Sequence, residues 1–123
     1  MGNNTVVDKS MAFAVRIVRL YQFLSGERKE YVLSKQLLRC GTSIGANVTE
    51  ALDGISRRDF LNKMYIALKE CSESSYWIEL LYRTGYINEN QYHSIWSDCY
   101  ELKHILSSIT KTTKDSMRMR GSD

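Results

Sequence analysis

The sequence predicts an all-α fold, an antiparallel up-down-up-down four-helix bundle. Three observations carry this. Proline is absent, so the strongest helix breaker occurs nowhere in the 123 residues. Apolar residues recur at spacings of three and four in four separate runs, the period of helices that bury one face. The stretches between the runs are short, which forces successive helices to lie side by side and reversed. At this length the chain makes one domain, residues 1–123, large enough for one real core.

The first helix is expected from about residue 5 to 24. Met11, Ala14, Val18 and Tyr21 form one stripe; Phe13, Ile17, Leu20 and Leu24 form the next, and together they predict a wide apolar face. Ser25-Gly26 should end it, because glycine accepts the left-handed cap after a last turn. Residues 27–30 then read as a charged connector.

The second helix is expected over 31–53. Leu33, Leu37, Cys40, Ile44, Val48 and Ala51 make its main stripe, and Leu38, Gly41, Gly45, Val48 and Leu52 a second one. Gly41 and Gly45 sit one turn apart on one face, each costing up to about 1 kcal/mol relative to alanine. Close approach of another helix backbone would offset that; a local kink near Gly41 is the alternative. A helix apolar or small on several sides needs several neighbours. The two central helices therefore predict packing that continues across a subunit boundary.

The third helix should span 56–84. Gly54 suits a helix-ending position, Ser56 a cap, and Asp59 the positive end of the new helix dipole. Ile55 and Phe60 occupy the two positions of a hydrophobic staple. Phe60, Met64, Ala67, Cys71, Ser74, Ile78 and Leu81 form its stripe, and Gly85 closes it. The punctuation recurs before the fourth helix, expected over 88–111: Asn88 caps, Gln91 sits three residues on, and Ile87 with Tyr92 repeats the staple. Tyr92, Ile95, Cys99, Leu102, Leu106 and Ile109 follow a heptad-like seam. Residues 112–123, polar and weakly basic, read as a frayed, flexible tail.

Composition bounds the function more by exclusion than by motif. The net charge of +3, with an isoelectric point near 8.8, permits a nucleic-acid partner without demanding one. No window approaches the roughly 20 apolar residues of a membrane span, and the polar first ten residues lack the core of a signal peptide. Cys40, Cys71 and Cys99 lie on three different helices beside apolar stripes; buried free thiols in a reducing cytoplasm are the reading.

The central residues carry a resemblance. Thr42-Ser43-Ile44-Gly45-Ala46-Asn47, Glu50-Ala51, Ser56, Asp59-Phe60, Ile66-Ala67-Leu68-Lys69-Glu70, Glu73, Tyr76-Trp77 and Leu80-Leu81 resemble the bacterial four-helix-bundle family named for proteins encoded in intervening sequences of 23S rRNA genes. They are similar, too, to the accessory variability proteins of diversity-generating retroelements. The looser helical pattern extends the match from about Phe13 to Ile109. The resemblance implies a homo-oligomer, typically a pentameric barrel, with a non-enzymatic role and RNA, DNA or a ribonucleoprotein as partner. It implies no cofactor, no small-molecule substrate and no membrane. Cys40 and Val48-Thr49 stand where small apolar residues are usual in the family, and neither change threatens the fold.

Asn47, Glu50, Lys69, Glu70 and Glu73 are the polar residues of this recognisable core, and a satisfied network that fixes register or subunit contact is their expected role. Lys69 and Glu73 are one turn apart and can pair. A buried Glu50 would take Lys69 as its partner. Glu101 and His104 match the Glu-x-x-His spacing of di-iron bundles, but those sites need a second such pair and two more glutamates. No nucleophile elbow and no phosphate-binding glycine loop occurs, so no catalytic or metal-ligating set is assigned. The nucleic-acid candidates are Arg16, Arg19, Arg28, Lys29, Arg57, Arg58 and Lys63. Ring symmetry would multiply them into a positive band suited to phosphates. Tyr65, Tyr76, Tyr82 and Trp96 could stack on bases where exposed. A protein–protein adaptor ring without nucleic acid is the rival function.

Overall fold

The computed structural model describes residues 3–120, with side chains from Thr5 onward. Four helices, and no strand among the described residues, form a four-helix bundle: α1 (Asn3–Gly26), α2 (Leu33–Leu52), α3 (Arg57–Arg83) and α4 (Glu89–Arg120). Consecutive helices pack along their lengths, and α1 closes the bundle on α4 along a sparser seam. The core runs through Phe13, Ile17 and Leu24 of α1, Leu37, Ile44 and Val48 of α2, Met64, Ile78 and Leu81 of α3, and Leu102 and Leu106 of α4, all fully buried. The main stripe expected on α2 and the stripes expected on α3 and α4 face this core. On α1 only the Phe13 stripe does: Met11, Val15 and Val18 are 64, 43 and 40% exposed, so the face is narrower than its composition suggests.

The glycines explain how α1 and α2 meet. A methyl group on Gly41 would lie 2.8 Å from Cγ1 of Ile17, and one on Gly45 would lie 3.5 Å from the carbonyl of Ser10. The close approach thus comes from α1 of the same chain. The glycine part of the second α2 face is covered within the protomer, while Leu52 at its end stays exposed.

The ends differ from expectation in instructive ways. α1 continues through Gly26, and the left-handed residue after it is Lys29, at φ 56°. α2 starts at Leu33 instead of residue 31, and its open end is covered by the side chain of the buried Glu30, two residues before the cap position at Val32. The Glu30 carboxylate accepts from the backbone N–H of Val32, Leu33 and Ser34 at 3.0, 2.9 and 2.7 Å, satisfying donors a helix start leaves open. Ser56 caps α3 as expected, accepting from the Asp59 N–H at 3.0 Å. The staple beside it does not form: Ile55 is 95% exposed. Gly54 is not left-handed; a methyl there would meet the Ala51 carbonyl at 3.1 Å, so space, not φ, favours glycine. α3 ends in a Schellman arrangement, with Gly85 at φ 84°, Tyr86 N–H donating to the Leu81 carbonyl and Gly85 N–H to that of Tyr82. Asn88 and Gln91 cap each other reciprocally at 2.8 Å, and Ile87 is buried beside them.

The largest difference is the C-terminal segment. Residues expected to fray from 112 instead extend α4 to Arg120. No glycine or proline interrupts residues 89–120, Lys111 pairs with Asp115 one turn on at 2.9 Å, and Thr113, Ser116 and Met117 are half-buried. Residues 121–123 of the expected tail lie outside the described residues. No helix is long and apolar enough to cross a membrane.

Candidate nucleic-acid interface

The seven candidate cations fall in three places. Arg16 and Arg19 are on α1. Arg16 reaches α4, bonding Asp98 at 2.7 Å and the Ser94 hydroxyl at 3.0 Å. Arg19 is exposed and borders the groove lined by Leu20, Phe23, Ile87 and Ile95. Arg28 and Lys29 lie in the α1–α2 connector. Arg28 donates to the carbonyls of Tyr86 and Gly85 at 3.0 and 3.1 Å and lies 5.4 Å from the centre of the Tyr86 ring. It pins one connector to the next, a structural role. Arg57, Arg58 and Lys63 lie at the start of α3, beyond the far end of α2, about 30 Å from Arg28 along a 20-residue helix. Arg57 donates to the Ser116 hydroxyl of α4 at 2.8 Å. Lys63 pairs with Glu50 at 2.8 Å, and that hydrogen bond pushes the lysine further toward its charged form.

These pairings matter because an ion-paired cation has already spent part of its attraction for phosphate. Arg16, Arg28 and Lys63 are committed to neighbours; Arg19 and Lys29 are exposed and make no ion pair among the described residues.

The five polar core residues are not gathered into one network. Glu70 and Glu73 share a cation that the sequence did not single out, Arg39 of α2, at 3.5 Å from Glu70 and in direct contact with Glu73. Glu73 also accepts from the Trp77 indole N–H at 3.0 Å. Glu50 is exposed and bound to Lys63, so the expected Glu50–Lys69 pair is absent, and Lys69 points to solvent with no ion pair among the described residues. Asn47 donates to the Ser43 carbonyl of its own helix at 2.9 Å. Arg39 was missed because helical spacing ranks residues within a helix and gives no register between helices.

Aromatic rings mostly meet each other. Tyr82 stacks on Tyr92 with centroids 4.4 Å apart, and Trp96 on Tyr100 at 5.2 Å. Tyr65 and Tyr76 are open to solvent, 40 and 59% exposed. All three cysteines are free and buried. Cys40 accepts from Ser74 at 3.3 Å, and burial pushes its thiol up to about 11. Cys71 and Cys99 meet across α3 and α4 with sulfurs 3.8 Å apart, each also near the other's carbonyl oxygen. The bond between them lowers the Cys71 thiol and raises that of Cys99. Glu101 is bonded to Lys9, and His104 is exposed. Among the described residues no group of three or more His, Cys, Asp or Glu is placed to hold a metal ion.

Against this geometry the comparisons are direct. No curated protein matches the chain. A crystal structure of a protein of unknown function from the S23 ribosomal protein family, from Bacteroides thetaiotaomicron, superposes with a TM-score of 0.89 at 58% sequence identity, covering 90% of this chain and 99% of that one. The sequence profile of the family described as 23S rRNA-intervening sequence protein matches residues 2–108. The match takes in the whole of the central motif and both helices that carry it, and the chain belongs to the 23S rRNA-intervening sequence protein family.

Proposed function

We propose that this protein is a non-enzymatic, homo-oligomeric helical bundle of the cytoplasm that binds RNA, DNA or a ribonucleoprotein partner through phosphate charge. The protomer is read as an up-down-up-down antiparallel bundle. The reversed order of its contacts supports this, with Ser10 beside Gly45 and Ile17 beside Gly41.

The observation that carries the reading is the placement of uncovered apolar surface. Met11, Val15 and Val18 make one strip on α1, and Tyr65, Ile66 and Tyr76 are exposed apolar side chains on α3. The backbones of α1 and α3 do not come close to each other among the described residues. Two different apolar patches on separated helices are what a head-to-tail ring requires, and a ring of five is the expected closure. Closure would pool the positive charge of every protomer on one assembly, and phosphate binding grows with the number of charges presented. Membership in a family described by an rRNA intervening sequence agrees with an RNA partner.

The test pairs light scattering with fluorescence anisotropy on a labelled RNA across a salt series. The reading expects a multiple of 14.3 kDa and a steep fall in affinity with salt. No binding at low salt, or flat salt dependence, removes it. The same apolar surface also favours a second reading, an adaptor ring that docks a protein. Reversing charge at Arg57 and Arg58 separates the two, since it should weaken RNA binding broadly and spare an apolar contact.

A further inference from the structure

The charge of this chain is unevenly placed. Residues 109–120 hold Lys111, Lys114, Arg118 and Arg120 against one acid, Asp115, and so carry +3, the net charge of the whole chain. Residues 1–108, essentially the span that the family profile matches, hold 13 cations against 12 acids. Within that span many cations are paired: Lys9 with Glu101, Arg16 with Asp98, Arg39 with Glu70 and Glu73, and Lys63 with Glu50. The bundle proper is close to neutral; the last turns of α4 are not.

Those turns are an ordered helix, not a loose tail. Lys111, Lys114 and Arg118, spaced three and four apart, fall on one face and are exposed. Thr113, Ser116 and Met117 fall on the other and are half-buried. Thr113 borders a hollow with Leu52, Arg57 and Phe60, and Arg57 bonds Ser116, so the arm rests on the start of α3 with its cationic face outward. The Asp115 carboxyl is held below its usual range by the hydrogen bond and charge of Lys111, helped by Arg118 and Lys114. Cations in a last turn also suit the helix dipole, which accounts for Arg118 and Arg120; the effect fades within one turn and does not reach Lys111 and Lys114.

We propose that the helical arm of residues 109–120, together with Arg57 at its base, is the surface on which this protein holds a nucleic-acid phosphate backbone. The proposal rests on the nucleic-acid reading above and gives it a place. It moves the contact from the connectors and the bundle faces to a segment beyond the family-matched core.

The test keeps the full chain. One variant combines Lys114→Gln, Arg118→Gln and Arg120→Gln. The control combines Lys35→Gln, Lys69→Gln and Lys103→Gln, which also removes three charges, from exposed bundle cations that make no ion pair among the described residues. Both are compared with the unaltered protein for binding to labelled single-stranded RNA, to DNA of the same sequence and to anionic phospholipid vesicles; circular dichroism checks that helix content is retained. The arm variant should lose about tenfold or more in RNA affinity at about 50 mM salt, and its salt slope should fall by about 2. The control should lose no more than about threefold. Equal losses in the two variants, an unchanged arm variant, or binding to vesicles but not to RNA overturns the proposal. An unaltered protein that binds RNA while the arm variant binds equally well sinks the arm alone. An unaltered protein that binds no nucleic acid at low salt sinks the functional reading, and the arm with it.

Discussion

Two glycines one turn apart on α2 have opposite tolerances. At Gly41 an added methyl would press on the stem of Ile17, a β-branched side chain with little freedom to yield, so Gly41→Ala should destabilise despite its better helix propensity. Overpacking of about 1–3 kcal/mol outweighs a gain of up to about 1. At Gly45 the methyl would make ordinary contact, and Gly45→Ala should stabilise by up to about 1 kcal/mol. Urea unfolding of the two variants should show midpoints moving in opposite directions. The polar residues divide similarly. Arg39→Met should cost about 1 kcal/mol, since it strips two carboxylates of their shared cation, whereas Lys69→Met should stay within about 0.5. Equal midpoints for that pair would contradict the assignment. Cys40 adds a pH dependence. Its folded thiol titrates near 11 against an ordinary 9.0, so the folded state holds that proton more tightly. The resulting stability is complete below pH 9.0 and is lost as pH rises through about 11. Cys40→Ala should show a shallower loss of urea resistance than the unaltered protein over that window.

At the scale of elements, most of the fold was legible. Ser56, Asn88, Gln91 and Gly85 do the jobs that their chemistry announces, because capping depends on residues three or four apart. What escaped depends on tertiary context. The open end of α2 is covered by Glu30, a residue that reads as part of a charged connector until the chain folds back to bury it. Glu30→Ala should cost about 1–2 kcal/mol and fray the first turn of α2, visible as faster amide exchange at Val32, Leu33 and Ser34. The end of α4 was hidden for a different reason. A seam of large apolar residues stops at Ile109, and periodicity says nothing once the buried face becomes Thr113, Ser116 and Met117. The uninterrupted run without glycine or proline was the available signal.

For the whole molecule, the main surprise is where the unsatisfied surface lies. Composition pointed to the two central helices, and their glycine face turned out to be filled by α1 of the same chain. Apolar side chains left outside include Met11, Val15 and Val18 of α1, Leu52 of α2, and Tyr65, Ile66 and Tyr76 of α3. If these close a ring, Val15→Asp should break it while leaving the core untouched, because Val15 is 43% exposed in the protomer. Light scattering should then report a mass near 14.3 kDa with unchanged helicity. An assembly of unaltered mass would place the contact elsewhere. The candidate site was the least legible part. The chain advertises its arginines, yet which of them are already held by carboxylates is a property of the packed bundle alone.

The paired sulfurs of Cys71 and Cys99 set the spacing of α3 and α4 where they meet. Each lies close to the other helix's backbone carbonyl, so little room is left between the two backbones there. A bulkier side chain at either position should push the helices apart at that level. From Cys99 to Arg120 the helix extends about 30 Å. The Arg57–Ser116 bond near its tip is where such a displacement should first be felt.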